Sequence, residues 1–490
     1  MITFASVMKQ RQFILFALAL LHVLAADISA GVREFRGAWL HTVFQEGYCS
    51  RSTEQNKAYL RTQLDRLKSA GMNVVIFQVR PQSDAFYKSD IEPWSRFLTA
   101  GGKAPVPFWD PLEFMIEECH ARGMELHAWM NPYRVTSTAK QTLPKNHIYH
   151  KHPERFVRYD GKLYFDPGQP ENRKFICRVV DDIVRRYDVD GIHFDDYFYP
   201  YPVRGKKFPD EESFRKYGKG MPLADWRRQN VNLLIEEVHG CIASVKPWVR
   251  FGVSPFGIWR NIKSDKRGSR TNGLQNYDDL YADVLLWEDK GWVDYLLPQI
   301  YWNFGNPSAA YEVLVDWWNS NAGTKRHLYV GQDVGRTMKA QDKTQLRRKI
   351  ELARSRNNVA GNCWWPGYEV TANSGGVADS LASSFQSRPA LVPSYPWISD
   401  SVPEPVEKLK VKGRTISWGA ADAKQSADDV VRYAVYRFDN IESAGDDSAA
   451  ELVDVVCVPC FKAERPGVYA VTALSRVNNE SELSNPVIVK

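Results

Sequence analysis

The run Val189-Asp190-Gly191-Ile192-His193-Phe194-Asp195-Asp196-Tyr197-Phe198-Tyr199-Pro200 decides how the rest of the chain is read. Its apolar, β-branched start, bounded by Gly191 and Pro200, predicts a buried parallel strand. It then ends in two adjacent carboxylates and three aromatic rings, a mixture that no hydrophobic core favours. Side chains alternate along a strand, so His193 and Asp195 are expected on one face and Ile192, Phe194 and Asp196 on the other. A single Asp in such a place commonly caps the next helix. A pair of carboxylates at the carboxyl end of a parallel strand instead marks where a barrel enzyme keeps its chemistry.

Outward from this run, strand-like and helix-like segments alternate. Strands are predicted at 36–42, 73–81 and 125–132, in the opening run, and at 250–255, 293–302, 327–333 and 359–365. Helices are predicted at 59–70, 112–122, 172–187, 223–245, 277–290, 311–320, 343–356 and 377–385. Such alternation demands a parallel sheet, and eight strand-then-helix units close a (β/α)8 TIM barrel, assigned here to residues 31–388. A doubly wound open sheet is the competitor, but no Gly-rich phosphate loop follows the first strand. Pro389, Pro393, Pro396, Pro403 and Pro405 then make a Pro-rich linker over 389–405. Short alternating runs at 408–412, 415–418, 431–438, 451–458, 467–474 and 486–489 predict a small all-β sandwich over 406–490. Trp418, Tyr433-Ala434-Val435-Tyr436 and Gly467-Val468-Tyr469-Ala470-Val471-Thr472-Ala473 resemble a fibronectin type III module, read as a spacer or as a wall- or sugar-contacting accessory.

Lys9 and Arg11 precede an apolar run from Phe13 to Ala26 and small residues through Ala30. This is the pattern of a secretory signal peptide over 1–30, too short to span a bilayer comfortably. No other segment approaches 18 uninterrupted apolar residues, so an exported protein, periplasmic or extracellular and without a transmembrane segment, is expected. The net charge of +6 is spread over 490 residues, which argues against a nucleic-acid partner. The seven cysteines are odd in number and widely spaced, which is no disulfide framework. Cys119, Cys177 and Cys241 read as small buried hydrophobes, and Cys457-Val458-Pro459-Cys460 as a local disulfide at most.

If the strands run as predicted, their last residues converge on one rim. These are Trp39 and His41; Gln78 and Arg80, with Asp84 beyond; His127, Trp129 and Asn131, then Tyr133 and Arg134; His193, Asp195 and Asp196; Ser254; Gln299, Tyr301 and Trp302; Asp333; and Trp364, Trp365 and Glu369. Amides and carboxylates bond hydroxyls in pairs, and aromatic faces pack on sugar rings, so the mixture suits a carbohydrate. Any single Trp could equally fill the upper layer of the barrel. His41, His127 and His193 come from three strands without zinc-motif spacing, so neither metal nor other cofactor is expected. Arg80 and Arg134 could serve as counter-ions, and Asn146, His147 and His150 read as a solvated loop.

The runs Phe35-Arg36-Gly37-Ala38-Trp39, Phe77-Gln78-Val79-Arg80-Pro81, Ala128-Trp129-Met130-Asn131-Pro132-Tyr133-Arg134, Gly191-Ile192-His193-Phe194-Asp195-Asp196-Tyr197 and Pro298-Gln299-Ile300-Tyr301-Trp302 resemble those of the glycosyl-hydrolase-like family 10. The likeness covers residues 32–388. It implies a TIM-barrel glycosidase, with bacterial members acting on peptidoglycan glycan strands, including strands without stem peptides. The spacing Gly-x-His-x-Asp is also similar to the Gly-x-Arg-x-Asp of amylase-type barrels, where the Asp is the nucleophile. Hydrolysis by two carboxyl groups is therefore expected, with Asp195 as one and Asp196 or Asp333 as the other, Asp84 and Glu369 being further candidates. Arg80, Gln78, His127, Trp129, Asn131, Arg134, His193, Tyr197, Gln299, Tyr301, Trp302, Trp364 and Trp365 are expected to hold the sugar. A separation of about 5 Å between the carboxyls would imply retention, and about 6.5–9.5 Å inversion. The rival readings are a lectin-like wall-binding barrel and a metal-dependent deacetylase-like hydrolase, oligomeric state being open in all three.

Overall fold

The structure is a computed structural model that describes residues 32–421, 424–445 and 449–490; the expected signal peptide lies outside them. Eight parallel strands close into a barrel: β1 (Phe35–Leu40), β2 (Val74–Arg80), β3 (Glu125–Met130), β4 (Gly191–Phe194), β5 (Arg250–Val253), β6 (Tyr295–Leu296), β7 (His327–Asp333) and β8 (Val359–Trp365). Each pairs with its neighbours in chain order, and β8 pairs with β1. Helices cover the outside, so the strands are buried on both faces and read as unbroken apolar runs such as Val74 to Phe77.

Three of the boundaries that differ from the sequence expectation do so for local reasons. The first long helix, Thr53–Ser69, starts before position 59 because Ser52 and Gln55 form a reciprocal capping box ahead of the apolar stripe. The expected helix 277–290 is split into Asn276–Asp279 and Val284–Asp289, around Tyr281 in a left-handed conformation (φ +56°). The expected strand 293–302 keeps a ladder only at Tyr295–Leu296, since Pro298 has no N–H to continue it. Gln299 rejoins the sheet through single bridges to Phe256 and Gly331.

The barrel axis is filled by rings. Phe35 stacks on Tyr329 at 4.0 Å, and Tyr295 leans on both Phe35 and Tyr329. Gly252 makes room for this filling, because a Cβ there would lie 1.9 Å from the Tyr295 ring. The Tyr295 hydroxyl bridges His193 Nδ1 at 3.0 Å and His127 Nδ1 at 2.8 Å.

The second unit has β9 (Lys410–Lys412), β10 (Thr415–Ser417), β11 (Val430–Phe438), β12 (Glu451–Val456), β13 (Cys460–Lys462), β14 (Gly467–Ser475) and β15 (Val487–Val489). They form two antiparallel sheets, β9-β10-β13 and β12-β11-β14-β15. Cys457 and Cys460 are free thiols rather than a disulfide, as are the other five cysteines; the turn between them carries the chain from one sheet to the other.

The sandwich docks on the amino-terminal ends of the barrel strands. Arg432 of β11 reaches Glu125 Oε1 at 2.9 Å and Asp190 Oδ1 at 3.2 Å, while Arg250 lies 2.5 Å from Glu125 Oε2. Asn478 Nδ2 also donates to Glu125, at 2.9 Å. Gly123 (φ +67°) lets the turn before β3 touch β12, since a Cβ there would sit 2.0 Å from the Val455 carbonyl oxygen. The proline-rich stretch is packed as well: the Tyr395 hydroxyl meets that of Tyr329 at 3.0 Å, and Trp397 Nε1 donates to Asp294 at 2.8 Å. The sandwich is thus a plate packed against the barrel floor.

Candidate active site

At the opposite end, the carboxyl tips of the strands surround a cavity of about 350 Å³. Asp195 and Asp196 both line it. The expected alternation, which sends them to opposite faces, fails because β4 stops at Phe194 and the pair sits in the turn beyond.

Asp195 is buried and held by donors. Trp129 Nε1 donates to its Oδ2 at 3.0 Å, Asn131 Nδ2 lies 3.1 Å from each carboxylate oxygen, and the Tyr197 amide donates to Oδ1 at 3.3 Å. Burial pushes its pKa up, opposed by the nearby Arg134 charge and by these donors. Asp196 is buried too, and accepts hydrogen bonds from the Tyr201 hydroxyl and the Gln299 amide. Burial, followed by the negative charge of Asp195, raises it to about 6. Two carboxyls side by side, both raised by burial, thus have unequal surroundings, one rich in donors beside a cation and one facing the negative charge of its neighbour.

The walls are largely aromatic. Trp39, Trp129, Tyr197, Tyr301 and Trp365 line the cavity, and Tyr197 is 37% exposed with Arg134 over its ring at 5.1 Å. Arg134 is itself fixed by donating Nε and Nη2 to the Pro81 carbonyl at 3.0 and 2.8 Å. Gln78 receives the amides of Thr42 and Val43 on Oε1, both at 3.0 Å, which leaves its buried Nε2 without a partner. His41 packs on Trp365 at 4.7 Å, and burial lowers its pKa to about 4, so it is neutral.

Several expected site residues lie elsewhere. Arg80 is fully buried and forms a two-pronged ion pair with Glu92, at 2.7 and 2.6 Å, in the loop after β2. That pairing makes it a loop anchor, not a substrate ligand. His127 and His193 sit below the cavity on the barrel axis. His193 Nε2 accepts from Trp39 Nε1 at 3.2 Å and meets Ser254 Oγ at 2.9 Å, so the proton on its other nitrogen goes to Tyr295. His127 Nε2 lies 3.1 Å from Glu125 Oε2, which commits both of its nitrogens. Asp333 caps the short helix Val334–Met338 by accepting the Arg336 amide at 2.7 Å, and Glu369 lies in the first turn of Gly367–Thr371. Neither carboxyl lines the cavity.

Trp364 is completely buried because it alternates with Trp365, which takes the cavity face. Trp302 stands behind the rim, edge-on to Phe256 at 5.5 Å. Asn131 acts one step back, since it orients Asp195 and accepts the Arg134 amide on Oδ1 at 2.8 Å. Tyr201 is the partner that sequence reasoning missed. The aromatic run after the acidic pair was its only signal, and nothing local says which ring folds back on Asp196.

The family described as Glycosyl hydrolase-like 10 matches residues 34–346. The glycosyl hydrolase YngK of Bacillus subtilis (strain 168) is 38% identical over 478 residues, covering 92% of both chains. The glycosyl hydrolase DigH of Escherichia coli (strain K12) is 42% identical over 320 residues, covering 60% of this chain and 72% of that one. Among solved structures, the catalytic domain of β-amylase from Paenibacillus polymyxa is similar at a TM-score of 0.46 and 13% identity, over 73% of this chain and 98% of that one, a likeness that says nothing of substrate. With the matched region spanning the strands that carry Asp195 and Asp196, the chain belongs to the glycosyl hydrolase-like 10 family and is a glycoside hydrolase.

Proposed function

We propose that the protein is exported and cleaves the glycan strands of bacterial peptidoglycan, including strands without stem peptides, with Asp195 and Asp196 as its two carboxyl groups. The observation that carries the reading is the unequal environment of this buried pair beneath an aromatic-walled cavity. Asp195, ringed by donors that favour its charged form and close to Arg134, is placed to face the positive charge that develops at the anomeric carbon. Asp196, at about 6, is suited to carry a proton near neutral pH and pass it to the departing glycosidic oxygen. As the bond between anomeric carbon and bridging oxygen breaks, that oxygen takes the Asp196 proton; water then supplies the new hydroxyl to the anomeric carbon and returns its other proton to the Asp196 carboxylate.

Tyr197, Tyr301 and Trp365 offer ring faces to the sugar. The unpartnered Gln78 Nε2 offers a donor to a hydroxyl, and Arg134 offers a cation to a lactyl carboxylate. Export rests on the signal-peptide pattern over residues 1–30.

The test is digestion of stem-peptide-free strands, intact peptidoglycan and neutral polysaccharides by the purified mature protein, with product masses read out. New reducing ends are expected from the stripped strands and none from neutral polysaccharides. Cleavage of the neutral polymers at a comparable rate would overturn the substrate class, and undiminished cleavage by Asp195→Asn would remove Asp195 from the mechanism.

A further inference from the structure

Beside the acidic pair lies a second, larger cavity of about 680 Å³, against about 350 Å³ for the first. The two share a border. Val43 and Phe44 line the first and Glu46 the second, while Arg134 faces the first and the next residue, Val135, the second. Phe44 stands on this border in a left-handed conformation (φ +61°) and is 58% exposed. Its ring is edge-on to Phe97 of the second cavity at 5.8 Å.

The second cavity is built, not merely open. Asp84 is 7% exposed and accepts from Ser95 Oγ at 3.0 Å, while its other oxygen, Oδ1, has no partner. His147, far from being solvated, is buried with its Nε2 against Ser83 Oγ. The Tyr149 amide donates to His147 Nδ1 at 3.0 Å, so the ring proton sits on Nε2 and points at Ser83. In that tautomer the imidazole cannot take a proton from Ser83, which excludes a serine nucleophile and leaves the hydroxyl hydrogen free for a ligand. Trp94, which is only half-buried, supplies a ring face. Arg96, over the Phe97 ring at 4.7 Å, and Lys140 supply two cations, against the exposed carboxylate of Glu46 and the carboxyl of Asp84, which burial raises to about 6.

We propose that this cavity binds uncleaved sugar units of the same glycan strand, preferring a unit that carries a carboxylate, and so makes hydrolysis depend on strand length. The inference rests on the glycan-strand reading above. The experiment compares kcat/KM for stem-peptide-free oligomers of increasing length, with free carboxylates or as neutral methyl esters, in the wild type and in Arg96→Ala/Lys140→Ala. Wild-type kcat/KM is expected to climb by roughly tenfold from the shortest cleaved oligomer to a plateau, and esterification to cancel most of that climb. The double variant should cleave the shortest oligomer normally, lose roughly tenfold on long ones, and respond to esterification equally at every length, because Arg134 of the first cavity is untouched. Phe44→Ala should lose part of the same length dependence.

A double variant with the wild-type length profile and ester sensitivity would overturn this inference and leave the glycosidase reading intact. If the wild type cleaves no oligomer of any length, the parent reading falls and this one with it.

Discussion

At the floor of the barrel, Glu125 and Asp190 meet Arg250, Arg432 and His120; at the mouth, Asp195 and Asp196 meet mostly uncharged donors. All four carboxyls are buried or nearly so. Burial alone would raise each of them, but at the floor the cations overcome it and hold Glu125 at about 2 and Asp190 well below the ordinary carboxylate range. At the mouth the balance tips the other way and both acids are raised. Matched charge makes a joint between domains, and unmatched charge makes a reagent.

The comparison breaks most sharply on exchange of single carboxyls. Asp195→Asn and Asp196→Asn should each lower kcat/KM on glycan strands by roughly a thousandfold or more, about 4 kcal/mol of barrier, without loss of thermal stability. Steady-state kinetics beside a calorimetric melt checks both halves. At the floor the outcome should invert. Arg432→Met leaves Glu125 and Asp190 short of a cation, and should cost about 3 kcal/mol of stability or more while kcat/KM of the folded fraction stays within about twofold. Urea unfolding and activity at a temperature well below the melt decide this.

pH separates the two ends by sign. Asp196 is raised, so what it contributes to stability is full below about pH 4 and lost as pH climbs through about 6, roughly 3 kcal/mol in all. Glu125 is depressed, so its contribution is present above about pH 4.5 and fades as pH falls toward 2. Asp196→Asn should therefore raise Tm at pH 7 more than at pH 4, whereas Glu125→Gln should lower Tm at pH 7; melts at pH 4, 5.5 and 7 show it. The smallest effect is at Tyr201. Its hydroxyl favours ionised Asp196, so Tyr201→Phe should move the alkaline limb of the pH–rate profile to higher pH, with a loss of about tenfold or less in kcat.

The barrel was legible in the chain because β/α alternation is written locally, in apolar runs and the turns between them. The acidic pair was legible because two carboxylates after an apolar strand have no structural excuse. What was hidden depends on partners distant in sequence. Arg80 and Arg134 look alike at strand ends, yet Glu92 in a long loop claims one, while the Pro81 carbonyl and the Tyr197 ring hold the other. His127 and His193 read as rim residues because the sequence does not reveal that Tyr295, from another strand, ties both to the axis. Asp333 was indistinguishable from a catalytic acid until the helix it caps was seen to start one residue later. The docking of the sandwich was equally silent, since Arg432 lies 242 residues from Asp190.

The plate bolted beneath the barrel has a consequence for approach. Because Arg432, Asn478 and the Gly123 contact fasten it to the end opposite the Asp195–Asp196 cavity, it cannot swing round to hand over substrate. Whatever grips the sandwich from outside leaves the open bowl pointing away from the grip, so a tethered molecule would graze outward from its anchorage.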